Sequence, residues 1–156
     1  MSVKPIYTAI ATATGGRNGH VVSSDQVLDL DVRMPKELGG AGGAYTNPEQ
    51  LFAAGYSACF DSALNHVIRN EKITTGTTAV RAHVGIGSNN AGGFALVVSL
   101  EANVPEVDQQ TADTLVEKAH QVCPYSNATR GNVEVSLAAT ILSAEAFAAG
   151  KARWPA

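Results

Sequence analysis

The first third of the chain alternates hydrophobic and polar positions. "IYTAIATATG" (6–15) changes character every second residue, and "HVVSS" is a short apolar return. "VLDLDVRM" sets Val27, Asp29 and Asp31 on one face and Leu28, Leu30 and Val32 on the other. This pattern predicts an N-terminal β-meander whose first turn, "GGRNGH", is glycine-rich and carries a single charge, Arg17. "MPKELGGAGGAYT" follows as a loop. A helix over 47–70 is announced by Asn47 as cap, Pro48 at the first helical position, Glu49 in the first turn and Gln50 at the capping-box position. Its residues leave no broad polar face before Asp61, which predicts a helix covered by sheet or by another subunit.

Two further alternating segments, "AVRAHVGIGS" and "FALVVSLEANV", are joined by the turn composition "NNAGG" and predict a hairpin. "DQQTADTLVEKAHQV" places Ala112, Leu115, Val116, Ala119 and Val122 at helical spacing with charges opposite. Pro124 ends that helix and biases Cys123 toward an extended backbone, and "VEVSLAATIL" is a final strand. With no internal repeat or linker, the reading is one α+β domain over 1–142 with antiparallel sheet. Residues 143–156, which hold the only tryptophan, form an extension of unassigned role.

Composition narrows the function. The chain has 156 residues and is 45% hydrophobic, enough to build a core without disulfide staples. A net charge of -3 with no basic cluster argues against nucleic acid as a partner. The start lacks the continuous apolar run of a secretory signal, and Asp61, Asn65 and His66 interrupt the best candidate for a membrane span. The expectation is a cytoplasmic protein with no membrane association. In a reducing compartment its two cysteines, Cys59 and Cys123, point to catalysis, redox chemistry or metal binding rather than to a scaffold.

A buried cysteine is usually a small inert hydrophobe, and Cys59 between Tyr56 and Ala63 fits that description when taken alone. Its company changes the balance. Cys123, with His120 before it and Ser126, Asn127 and Arg130 after it, reaches the same place if the two helices pack together. A local Cys/His pair fails, because His66 lies seven residues on, about 10 Å along the helix. A zinc site from His120, Cys123 and Cys59 matches no standard spacing and lacks a fourth ligand, so no metal is assigned. A dithiol redox pair asks only that one thiol ionise near neutral pH and that the second reach it. Cys59 is too far along its helix to use the N-terminal dipole, so a cation is needed, and Arg17 is the natural one. Arg17 and Glu49 also read as a solvated turn residue and a helix-dipole residue, and from their positions alone the two readings stand level.

"NPEQLFAAGYSACF" and "AHQVCPYSNATRGN" together resemble the organic hydroperoxide resistance group of the OsmC/Ohr family, over about residues 6–141. The resemblance implies an intertwined homodimer with antiparallel sheets wrapped around long central helices. It implies a peroxidase that reduces organic hydroperoxides to alcohols, with Cys59 as peroxidatic and Cys123 as resolving cysteine. Arg17 then activates the thiolate and Glu49 orients Arg17. The reductant implied is a dihydrolipoyl group on a lipoylated carrier protein, with no bound cofactor. "CPYS" directly after the helix is the form of this group, whereas the 143–156 extension runs past the usual family end. Leu51, Phe52, Tyr56, Phe60 and Phe94 are expected to line an apolar approach to the sulfur, although such residues are more often core. The competing expectation is a redox sensor or hydrophobic-ligand binding protein that uses the same cysteines without turnover.

Overall fold

The structure is a computed structural model that describes residues 3–150. The chain divides into two compact units, Met1–Leu51 and Phe52–Ala156. In the first, β1 (Ala11–Thr14), β2 (His20–Ser23) and β3 (Asp29–Asp31) form the expected meander, antiparallel throughout. Alternation begins at Ile6, but β1 is only four residues long, because β2 offers partners to Ala11–Thr14 alone. Gly15 and Gly16 take positive φ (77° and 60°) and throw Arg17 out on a single 3-10 turn, Gly16–Asn18. Gly19 closes the loop against Thr14, whose carbonyl oxygen would lie 1.8 Å from any added Cβ.

α1 spans Pro48–Glu71. Its start is built as the sequence dictates: Asn47 Oδ1 accepts the Gln50 N–H at 2.9 Å. Gln50 does not close the capping box; its Oε1 accepts the Thr46 hydroxyl at 3.2 Å. Within one chain the helix is covered along one face. Tyr56, Phe60, Ala63, Leu64, Val67 and Ile68 form one buried stripe, while Ala54, Ala58, Ser62 and His66 are exposed. Asp61 and Asn65, one turn apart, are matched to Thr78: its hydroxyl donates to Asp61 Oδ1 at 2.6 Å and accepts from Asn65 Nδ2 at 2.8 Å.

The second unit packs α1 and α2 (Gln109–Val122) on a sheet of β4 (Ala79–Ser88), β5 (Phe94–Asn103) and β6 (Glu134–Thr140). Phe60, Leu64, Leu100 and Leu115 are sealed in its core, each gaining about 1.5–3 kcal/mol from burial. β4 and β5 form the expected hairpin, with Asn89 Oδ1 accepting the Ala91 and Gly93 N–H groups in the turn. The expectation of a wholly antiparallel sheet is corrected at β6, which runs parallel to β5 with Val97 opposite Glu134. Residues 104–133 form a crossover holding α2 and α3 (Pro124–Thr129), as a parallel pair requires. Alternation reports which face of a strand is buried and carries no information on its direction.

Residues 143–150 of the extension lie within the described residues. Asn103, fully buried, bonds both main-chain groups of Leu142, and Ser143 caps α4 (Ala144–Ala149). Arg81 fastens this helix: Nη1 donates to Glu101 Oε2 at 2.8 Å, Nη2 to the Phe147 carbonyl at 2.6 Å, and the guanidinium lies 4.5 Å above the Phe147 ring. Trp154 and the rest of 151–156 lie outside the described residues. Arg81→Ala is expected to cost about 1.5–3 kcal/mol in chemical denaturation and to speed amide exchange at Gly150, whose N–H closes α4.

Candidate active site

The two sulfurs meet. Cys59 stands three turns into α1, half-buried beside the core, and Cys123 is fully buried between α2 and α3. Cys123 takes an extended backbone (φ -65°, ψ 124°) because Pro124 follows it, and so ends one helix and caps the next. Its Sγ lies 3.7 Å from Cys59 Sγ, with the Cys123 thiol donating, and both thiols are free. Burial pushes the Cys59 thiol up from its ordinary pKa. The Tyr125 main-chain N–H opposes this by donating to the sulfur, and the neighbouring Cys123 adds to the rise.

Aromatic rings gather on this side of α1. Phe52, Tyr56 and Tyr125 have centroids 5.6–6.1 Å apart. Tyr125 lies close because residue 55 is glycine: an added Cβ would meet the Tyr125 hydroxyl at 2.9 Å and its ring at 3.3 Å. Of the residues expected to line an apolar approach, Tyr56 and Phe60 are fully buried core, Phe52 is half-buried, and Phe94 is exposed at the hairpin end of β5. Leu51 is half-buried and belongs to the first unit. Tyr125, 39% exposed, is the site neighbour that the sequence reading missed. Its signal was the proline before it, which starts a helix at the first position as readily as it ends one.

A polar cluster links α1, α2 and α3. Ser126 Oγ is 3.0 Å from the Tyr56 hydroxyl and 2.8 Å from His120 Nδ1, and Tyr56 also meets Thr129 Oγ1 at 3.2 Å. Arg130 donates to the His120 carbonyl at 2.7 Å and so satisfies an end of α2. Burial lowers the His120 pKa, and the Arg130 charge lowers it further. Among the described residues no group of three or more His, Cys, Asp or Glu side chains stands ready to hold a metal ion.

In the first unit the other expected pair is also formed. Arg17 donates to Glu49 through both terminal nitrogens, at 2.8 and 2.6 Å, a bidentate fork that lysine lacks. Glu49 thus does more than serve the helix dipole. Arg17 holds its carboxyl below the usual range against the opposing effect of burial.

Residues 40–138 match the family described as OsmC-like protein. The chain belongs to that family. This OsmC-like chain is 57% identical over 135 residues to the organic hydroperoxide resistance protein of Xanthomonas axonopodis pv. citri, an alignment covering 86% of this chain and 94% of that one. It is 49% identical over 140 residues to organic hydroperoxide resistance protein OhrA of Bacillus subtilis, covering 86% and 96%. The crystal structure of an organic hydroperoxide resistance protein from Elizabethkingia anophelis matches with a TM-score of 0.86 and 63% identity, over 90% of this chain and all of that one. The family expected from the two cysteine motifs is therefore the one found. Among the described residues no helix is long and apolar enough to cross a membrane.

Because Arg17 depresses the Glu49 pKa, the pair stabilises the fold fully above the unfolded carboxylate value of about 4.3 and loses that contribution as pH falls through the folded value. Glu49→Gln is expected to cost about 1–3 kcal/mol at neutral pH and to flatten the acid side of the stability profile. Denaturation midpoints measured from pH 7 to pH 3 check both.

Proposed function

We propose that the chain is a thiol peroxidase that reduces organic hydroperoxides, with the 3.7 Å approach of two free thiols in an OsmC-like fold as the observation that carries the reading. The names of the relatives point the same way. The Cys59 thiolate attacks the peroxide: the O–O bond breaks, an S–O bond forms, and the alcohol leaves with a proton. Cys123 then condenses with the resulting sulfenic acid; the S–O bond breaks, the S–S bond forms, and the thiol proton departs in water. A dithiol resets the pair by exchange, taking the disulfide onto itself. Its proposed form is a dihydrolipoyl group on a carrier protein, a slender arm suited to a half-buried sulfur.

Burial opposes ionisation of Cys59, so a donor set must favour the thiolate. In this proposal the Tyr125 N–H is one donor and Arg17, held by Glu49, is the other. The guanidinium fork can serve sulfur and peroxide oxygen together. Phe52 and Tyr125 then form the apolar approach, where each buried methylene of a substrate tail gains about 0.8 kcal/mol. Hydrogen peroxide has no such tail. A homodimer belongs to the same proposal: Ile6, Tyr7, Ile10 and Val27 are exposed apolar residues suited to burial against a second copy.

One equivalent of cumene hydroperoxide is expected to yield a Cys59–Cys123 disulfide by peptide mass mapping. Cys59→Ser abolishes peroxide consumption, while Cys123→Ser retains the first oxidation and accumulates sulfenic and sulfinic acids. Equal loss of the first step in both variants would sink the assignment, and consumption that stops at one equivalent with dihydrolipoamide present would favour a sensor. In steady state the organic peroxide is expected to outcompete hydrogen peroxide by about two orders of magnitude or more, as burial of three or four methylenes implies. Equal efficiency would mean that the approach is open and polar.

A further inference from the structure

Each sulfur has a member of the polar cluster three residues away. Tyr56 precedes Cys59 by three on α1, His120 precedes Cys123 by three on α2, and Ser126 follows Cys123 by three on α3. Ser126 joins the other two, at 3.0 Å to the Tyr56 hydroxyl and 2.8 Å to His120 Nδ1. Tyr56 and Ser126 are fully buried, so neither has water as an alternative partner. Thr129 Oγ1 gives its proton to the main-chain carbonyls of Tyr125 and Ser126, leaving its lone pairs for Tyr56. Tyr56 therefore donates to Thr129 and accepts from Ser126, whose oxygen accepts in turn from the His120 Nδ1–H.

The sulfurs are at 3.7 Å, whereas a disulfide needs about 2.05 Å, so the resolving step requires a further approach of Cys123 along a defined line. Ser126 is the one side chain in the cluster that ties both helices flanking Cys123 to the helix that carries Cys59. We propose that Tyr56, Ser126 and His120 are positioning residues for the resolving step, holding Cys123 in register with Cys59 so that the thiol meets the sulfenic sulfur before a second peroxide does. This rests on the peroxidase reading. The chemistry is the condensation already given: the S–O bond of Cys59 breaks, the S–S bond forms, and the Cys123 proton leaves in water. The cluster itself exchanges no atoms with the sulfurs.

Ser126→Ala deletes the bridge without changing either thiol, and Tyr56→Phe removes one end with the ring kept. Both variants are mixed with one equivalent of cumene hydroperoxide. Sulfenic acid is trapped with dimedone at successive times and the disulfide is quantified by mass spectrometry, with melting temperature as the folding control. The expected result is a first oxidation at the parental rate, disulfide formation slowed roughly tenfold to a hundredfold, and more sulfinic acid under excess peroxide. His120→Asn, whose amide can face Ser126, should recover most of the resolving rate that His120→Ala loses. Disulfide formation at the parental rate in Ser126→Ala, or both steps slowed by the same factor, overturns the proposal. If the parent protein itself gives neither sulfenic acid nor disulfide, the peroxidase reading fails and this inference with it. That outcome differs from failure of the positioning role, in which the parent forms its disulfide normally.

Discussion

The second unit is organised around the peptide bond between Cys123 and Pro124. Proline forbids the helical conformation to the residue before it and has no N–H to give, so α2 must end where it does. The same ring suits the first position of a helix, so a new one starts at once in another direction. Cys123 is left at the corner with its sulfur turned toward α1, and the Tyr125 N–H, free of helical bonding in the first turn of α3, favours the Cys59 thiolate. Contact between the thiols, the packing of Tyr125 over Gly55 and the placement of Ser126 between Tyr56 and His120 all follow from that break.

The environment thus made is divided against itself. Burial keeps Cys59 away from water and favours its neutral form, while the proposed chemistry needs the anion. A buried thiolate is tolerable only where fixed donors replace water, and those donors must be in place before the peroxide arrives. Arg17 shows such preparation in its own unit: a flexible, glycine-built turn would leave a lone arginine in many rotamers, and the fork to Glu49 fixes one arrangement.

Much of this was legible along the chain because the signals were local. Asn47 and Pro48 mark the start of α1, and the stripe of Ala112, Leu115, Val116 and Ala119 marks α2. The cysteine motifs led to the family without any geometry. What escaped has physical reasons. After Cys123, "PYSNAT" is a helix of six residues, too short for a 3.6-residue period to register, so the pattern predicts no α3. The direction of β6 is set by the crossover, a relation between distant segments that alternation does not encode. Glu49 was level between helix-dipole residue and arginine partner until Arg17 stood opposite, 32 residues away in sequence.

That long separation has a counterpart in the thiols, which stand 64 residues apart along the chain. A bond between them would tie a loop enclosing the β4–β5 hairpin and α2. Closing a loop of that length removes about 4 kcal/mol of conformational freedom from the unfolded chain, to be set against whatever strain the closed form holds. The spent protein would then be the harder one to unfold, and the reduced protein, ready to act, the easier. In the proposed cycle, a cell that let its reductant run down would keep a reserve of oxidised chains that resist proteolysis, and restoring the dithiol supply would return activity and turnover together.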